Sequence, residues 1–276
     1  MTQAEENTEE IIETAYDLQS GSYVKGLDSP ELHAHKVEYG AAIAREILSL
    51  TKPTSIIEAG IGEGTTFSFV WNQMGNVVQH AHGFDIAWSR IATCRKWLES
   101  NGIDSVHLSV ASLLHMPYQD ASFDVVYTSH TIEPNGGNEE PILRELYRVA
   151  SRYLILLEPG YELASLESQT RMEEHGYCRN LVGIAEGLGM QVIKHEMFAH
   201  SANLMNPTAI TVIEKDAAAQ PAVPALACPR YGDALTDGPD SLYSEGSLRA
   251  YPKIKGIPCL RPADGIIASA FNQFEG

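Results

Sequence analysis

Positive charge is scarce in this chain. Lys and Arg number 19 against 36 Asp and Glu, a net charge of −17. No run of Lys or Arg offsets that balance locally, so a phosphate backbone would be repelled, which argues against a nucleic-acid substrate. Long apolar runs are also missing: none reaches the roughly 20 residues of a membrane span, and no signal peptide opens the sequence. Cysteine is sparse. Cys94, Cys178, Cys228 and Cys259 lie far apart, so reduced thiols and a cytoplasmic location are expected. The opening TQAEENTEE is acidic and is expected to fray. What remains is ordinary globular material: 276 residues at 44% hydrophobic content suffice for one α/β domain and an appendage.

Glycine is concentrated where it carries meaning. Ser55 to Ala59 (SIIEA) is short and apolar, as a buried strand requires, and Gly60, Gly62 and Gly64 follow at alternate positions. Glycine lacks a Cβ, so the backbone there can turn sharply and lie against a ligand. Thr65 to Met74 reads as a helix, and the next apolar run, residues 77–84, ends at Asp85. An acid about 20 residues beyond such glycines is placed to accept hydrogen bonds from ribose hydroxyls. A dinucleotide needs G-x-G-x-x-G, but the spacing here is G-x-G-x-G and Glu58 ends the first strand. That carboxylate would meet a diphosphate badly and would suit a cationic ligand with an amino group.

The pattern E-x-G-x-G-x-G followed by Asp85 resembles the class I S-adenosylmethionine-dependent methyltransferases, of the type 11/25 kind. A second segment, HMPYQDASFDVVYTSHTIEP at 115–134, supports the likeness: Met116-Pro117-Tyr118 stands at the family's Leu-Pro-Phe-like turn, and SFDVV at 122–126 matches its fourth strand. Many members carry an Asp five residues before that proline, bonding the adenine amino group. Ser112 stands there instead, and the Leu113 backbone N–H is expected to share the role. The resemblance assigns the cofactor to Tyr16, Glu58, Gly60, Gly62, Gly64, Thr65, Asp85, Ile86, Ser112, Leu113 and Ser129. Asp124 is expected to orient a turn.

Strands are expected at 55–59, about 78–85, about 105–109, 123–128 and 153–157, with a terminal antiparallel pair at about 191–198 and 208–214. Helices are expected at 30–51, 65–74, 139–150 and 178–189. Strands alternating with helices imply a Rossmann-like, doubly wound seven-stranded sheet with ligands at the carboxyl ends of its strands. The expected division is an N-terminal segment 1–29 folding over the cofactor as a lid, a cofactor-binding domain 30–215, a linker 216–226 and a small unit 227–276.

A base of near-neutral pKa aids methyl transfer to oxygen or nitrogen, and histidine is its natural source. His130, Glu133 and Glu158 follow strands four and five and are the catalytic candidates. Tyr23, Tyr161, Arg171, His175, Tyr177 and Asn206 are candidates for holding the acceptor. The tail resembles the small zinc-ribbon-like domain of methyltransferase activator proteins. It keeps Cys228-Pro229, Tyr251-Pro252 and Gly256-Ile257-Pro258, but Tyr231 replaces the second cysteine and Cys259 is alone. Four ligands are the rule for structural zinc, so no metal is expected. A β unit docked on the main domain or on a second copy of the chain, as a homodimer, is expected. The leading reading is methylation of an O or N atom of a small polar metabolite, a sugar or nucleotide-linked sugar of surface-glycan or natural-product synthesis. The alternatives are an RNA or protein methyltransferase, or a non-catalytic cofactor-binding protein. Against the RNA reading, TSHTIEPN stands after strand four in place of the N-P-P-Y-like tetrapeptide of amino-base enzymes.

Overall fold

The computed structural model describes residues 8–74, 77–201, 203–215 and 223–273. Seven strands form the central sheet: β1 (Ser55–Ala59), β2 (His80–Asp85), β3 (Val106–Val110), β4 (Phe123–Ser129), β5 (Ala150–Pro159), β6 (Gln191–Met197) and β7 (Thr208–Glu214). Their order is β3-β2-β1-β4-β5-β7-β6. The first five run parallel, and β7 lies antiparallel between β5 and β6. Both faces are covered, which explains why every residue of β1 is buried. Ile56 packs with the core on one face and Ile57 with the core on the other.

The faces are covered by helices α3 (Pro30–Leu50), α4 (Thr65–Met74), α5 (Trp88–Ser100), α6 (Glu139–Val149) and α8 (Leu181–Gly187), with α7 (Leu166–Glu174) near the mouth of the sheet. Ser29 caps α3 and Pro30 fills its first turn, a strong start signal. Its residue Gly40 lets α4 approach closely: a Cβ there would stand 2.5 Å from the Phe69 Cβ. Asp124 ties the sheet together, accepting from Thr54 N at 2.7 Å, Thr54 Oγ1 at 2.8 Å and Ser55 N at 3.3 Å. It anchors the start of β1 to the start of β4.

Some expectations need correction. The acidic opening does not fray throughout. Thr8 caps a helix, α1 (Glu9–Leu18), and α2 (Ser22–Gly26) follows, while residues 1–7 lie outside the described residues. α5 and α7 were not anticipated, and β5 runs longer than 153–157 at both ends. α8 begins three residues later than expected. Most of the expected linker, 216–222, lies outside the described residues. Its last residues are docked: Gln119 N donates to Ala225 O at 2.9 Å, and Leu226 pairs with Tyr118.

The C-terminal unit is a small antiparallel sheet, β8 (Thr236–Asp237), β9 (Ser241–Ser244), β10 (Arg249–Ile254), β11 (Ile257–Pro258) and β12 (Ile266–Ile267). It docks on the β3 edge of the main sheet, where Val110 pairs with Cys259 and Leu260 N donates to Val110 O at 2.8 Å. This covers an edge that would otherwise present unpaired backbone groups. Cys259 packs in a core of the main domain, whereas Cys228 lies in the small unit's own core, 3.2 Å from the Tyr251 hydroxyl. Both thiols are free, and among the described residues no cluster of His, Cys, Asp and Glu is arranged to hold a metal. No described helix is long and apolar enough to cross a membrane.

Candidate active site

Strand order reverses between β1 and β4, and a cavity of 340 Å³ opens at the carboxyl ends of these strands. The loop after β1 forms one wall. Gly60 (φ 74°) and Gly64 (φ 73°) adopt the left-handed region that favours glycine, and each also faces a close neighbour. A Cβ on Gly60 would fall 2.0 Å from Thr131 Cγ2, and one on Gly64 would fall 2.7 Å from Cys94 Sγ. Gly60 thus lets the two loops of the cavity meet. Gly64 lets α5 pack under the loop and does not itself line the cavity.

Glu58 is buried at the end of β1 and accepts from Tyr127 Oη at 2.7 Å. Burial pushes its carboxyl up to about 8, against the opposing pull of the Tyr127 hydroxyl and the Lys36 ammonium. Lys36 reaches the same wall from α3 and bonds Thr66 Oγ1 at 3.0 Å. Burial holds the Lys36 ammonium below its ordinary value, with Glu58 working the other way. Asp85, at the end of β2, is also buried and raised by that burial. Its oxygens accept from Gly62 N at 3.1 Å and Ala87 N at 3.0 Å, which fixes the carboxylate against the glycine loop.

The N-terminal segment contributes Glu9, Ile12, Tyr16 and Tyr23 to the cavity lining. Tyr16 of α1 and Tyr23 of α2 both face the Arg90 guanidinium, their centroids 4.6 and 4.4 Å from its central carbon. Stacking a cation on aromatic faces is favourable, more so away from water. Arg90 is buried, and its Nε and Nη2 have no hydrogen-bond partner among the described residues. Glu63 of the glycine loop accepts from Gly21 N at 2.9 Å and Val24 N at 2.8 Å, so it holds the start of α2. Ser89 N donates to Asp17 Oδ1 at 2.9 Å.

The other end of the cavity is polar. His130 (φ 55°) follows β4, with Nδ1 2.5 Å from Glu133 Oε2 and Nε2 2.8 Å from Thr208 Oγ1. Burial alone would raise Glu133, but hydrogen bonds from His130, Asn206 and Tyr177 hold its carboxyl below the ordinary range. In the tautomer whose Nδ1–H donates to an ionised Glu133, the Nε2 lone pair is left to accept from Thr208. Glu158 lies behind this loop and accepts from Thr131 N at 3.0 Å and Glu133 N at 3.1 Å. It is buried and does not line the cavity, so it positions the loop that carries the dyad.

Of the residues singled out from sequence, Tyr16, Tyr23, Glu58, Gly60, Gly62, Thr65, Asp85, Ile86, Leu113, Ser129, His130, Glu133 and Asn206 line this one cavity. Ser112 stands just behind its wall, its hydroxyl donating to Glu9. Tyr177 and Arg171 form a layer behind Glu133. Tyr161 and His175 are not brought in: Tyr161 bonds Glu173 and His175 turns back to the Arg171 carbonyl at the end of α7. Asn203, beside Asn206 in the NLMNPT segment before β7, lines it too, whereas Lys36, Arg90, Glu63, Glu9 and Thr208 line the cavity and were missed. Arg90 had a local signal, since it sits in the helical turn just beyond Asp85.

Residues 56–152 match the family described as Methyltransferase domain (Methyltransf_25). The chain is 28% identical over 134 residues to ajmaline N-methyltransferase of Rauvolfia serpentina, 47% of this chain and 45% of that protein. It is 30% identical over 101 residues to norajmaline N-methyltransferase of the same plant, 36% of this chain and 33% of that one. Each match spans less than half of the relative's length. Among solved structures it is similar to magnesium protoporphyrin IX methyltransferase from Synechocystis PCC 6803 with bound S-adenosylhomocysteine, at a TM-score of 0.58 and 12% identity, covering 76% of this chain and all of that one. It is also similar to an S-adenosylmethionine-dependent methyltransferase from Aquifex aeolicus, at 0.52 and 18%, covering 70% and 97%. Sheet order, glycine loop and these neighbours agree: the chain has the Rossmann-like methyltransferase fold, with a separate β-rich unit docked on one edge.

Proposed function

We propose that the protein is an S-adenosylmethionine-dependent methyltransferase acting on an O or N atom of a small polar molecule. One observation carries this reading: a single cavity joins the glycine loop and buried Asp85 at one end to the His130–Glu133 dyad at the other. The donor set fits the cofactor. Asp85 suits the ribose diol, Glu58 the ammonium, and the glycine loop admits the chain that links them. When bound, the cofactor supplies a methyl group on a sulfonium.

The residues of this chain align the acceptor, exclude water and move a proton. Alignment and desolvation supply much of the acceleration in such a displacement. His130 Nε2 takes the proton of the acceptor O–H or N–H in the place Thr208 now fills, and Glu133 stabilises the imidazolium that results. Asn203, Asn206 and Thr208 give that end hydrogen-bonding capacity, which favours a sugar or nucleotide-linked sugar of surface-glycan or natural-product synthesis. The names of the two plant relatives favour nitrogen as an acceptor atom. We also read residues 227–276 as a zinc-ribbon-like unit that lacks a full ligand set, on the motif at Cys228-Pro229 and the Tyr251 to Pro258 segment. The test is transfer of labelled methyl from S-adenosylmethionine to a panel of sugars, nucleotide sugars and cyclic amines. Label in sugar or amine products supports the reading. Label found only in RNA or protein from the same incubation would overturn the small-molecule assignment.

A further inference from the structure

The cavity floor beside Asp85 is apolar. Ile86, Ala111 and Leu113 follow the ends of β2 and β3, and Ile12 of α1 lines the same cavity. Apolar side chains at this end suit the faces of a flat base. They lie on the Asp85 side, so a nucleoside whose ribose meets Asp85 must place its base there and not beside His130.

One carboxylate from the N-terminal helix enters this end. Glu9, in the first turn of α1, lines the cavity and accepts a hydrogen bond from the Ser112 hydroxyl. Leu114 N donates to the same Ser112 oxygen at 3.0 Å, which fixes the hydroxyl and aims its proton at Glu9. A carboxylate offers about four lone-pair sites, so one bond from Ser112 leaves acceptor capacity free for a ligand. Arg261 of the C-terminal unit pairs with Glu13, one turn along the same helix, and so ties α1 to that unit.

We propose that Glu9 reads the amino group of the adenine base. The inference rests on the cofactor reading above. An ionised carboxylate can only accept, so it matches an exocyclic amine and repels a keto oxygen at the same ring position. The acceptor for the base is therefore carried on the N-terminal segment, more than a hundred positions from the strand-end loop at Ser112. Ser112 acts through Glu9 by holding it in place. Closing the segment and recognising the base then become one event.

The experiment compares calorimetric affinities for S-adenosylhomocysteine and its deaminated analogue S-inosylhomocysteine. The proteins are the wild type, Glu9→Gln and, as a control, Glu10→Gln on the exposed side of the same turn. Far-UV circular dichroism and thermal melting verify that each is folded. The wild type should prefer the adenosyl ligand by at least about tenfold, the scale of one hydrogen bond to a charged group. In Glu9→Gln the amide can donate to the keto oxygen, so the preference should collapse to within about threefold, while Glu10→Gln keeps it. A wild-type preference near one, or one that Glu9→Gln leaves unchanged, overturns the role of Glu9 and leaves the cofactor reading standing. Folded wild-type protein that binds neither ligand overturns both.

Discussion

Glu58 gives the cofactor assignment a signature in protons. Burial pushes its carboxyl up to about 8, so at pH 7 roughly 0.9 of the free protein carries the proton there. An ammonium brought within about 4 Å favours the ionised form and draws the pKa back toward or below its ordinary value. Binding should therefore release about 0.9 proton from this site. The assay is calorimetric titration with S-adenosylhomocysteine at pH 7 in buffers of different ionisation enthalpy. The slope of the observed enthalpy counts the protons. The ligand's own amine also titrates, so the informative quantity is the difference between wild type and Glu58→Gln, in which the ligand term cancels. A difference of about one proton in the direction of release supports contact between Glu58 and the ammonium. Equal slopes for the two proteins, with both binding, would refute it.

The other expectations concern separate parts of the site. Glu58 also bears on stability: its pKa is raised on folding, so its contribution is fully present below pH 4.5 and is lost as the pH rises through about 8. Melting temperatures of wild type should fall across that window and those of Glu58→Gln should fall less; parallel curves would contradict the assignment. Asp85→Asn should weaken S-adenosylhomocysteine binding by at least about tenfold, since a charged acceptor is replaced by a neutral amide, and an unchanged titration would remove Asp85 from the ribose site. His130→Ala should keep cofactor affinity and lower kcat by about 10²–10⁴; loss of cofactor affinity in parallel would make His130 part of the cofactor shell. Glu63→Gln weakens the acceptor for Gly21 N and Val24 N, so hydrogen exchange there should quicken while α3 stays protected; unchanged exchange would show that Glu63 does not hold the segment.

The parts of this site legible in sequence are those encoded locally. Gly60, Gly62 and Gly64 announce themselves because a tight loop needs their backbone freedom at fixed offsets, and Asp85 follows at the distance one βαβ unit imposes. The sheet was readable for the same reason, since parallel strands buried on both faces are continuous apolar runs such as SIIEA. Several residues that reach the cavity through tertiary packing were not readable. Glu9 meets Ser112 across 103 positions, and Lys36 meets Thr66 across 30. Nothing near Glu63 in sequence points to Gly21. Tyr161 and His175 show the opposite failure. Both lie in the connection after β5, but the 3-10 turn at Tyr161–Leu163 and the C-terminus of α7 turn them toward Glu173 and the Arg171 carbonyl. Position in the chain fixed their level in the sheet and not the direction of their side chains.

The central claim is that this cavity binds the adenosyl cofactor. Titration of the purified, folded chain with S-adenosylmethionine tests it most directly. The account predicts one site per chain with a dissociation constant on the order of micromolar, lost in parallel with S-adenosylhomocysteine binding when Asp85 is changed. Absence of heat and of any thermal shift with either compound, in protein shown to be folded, would contradict it.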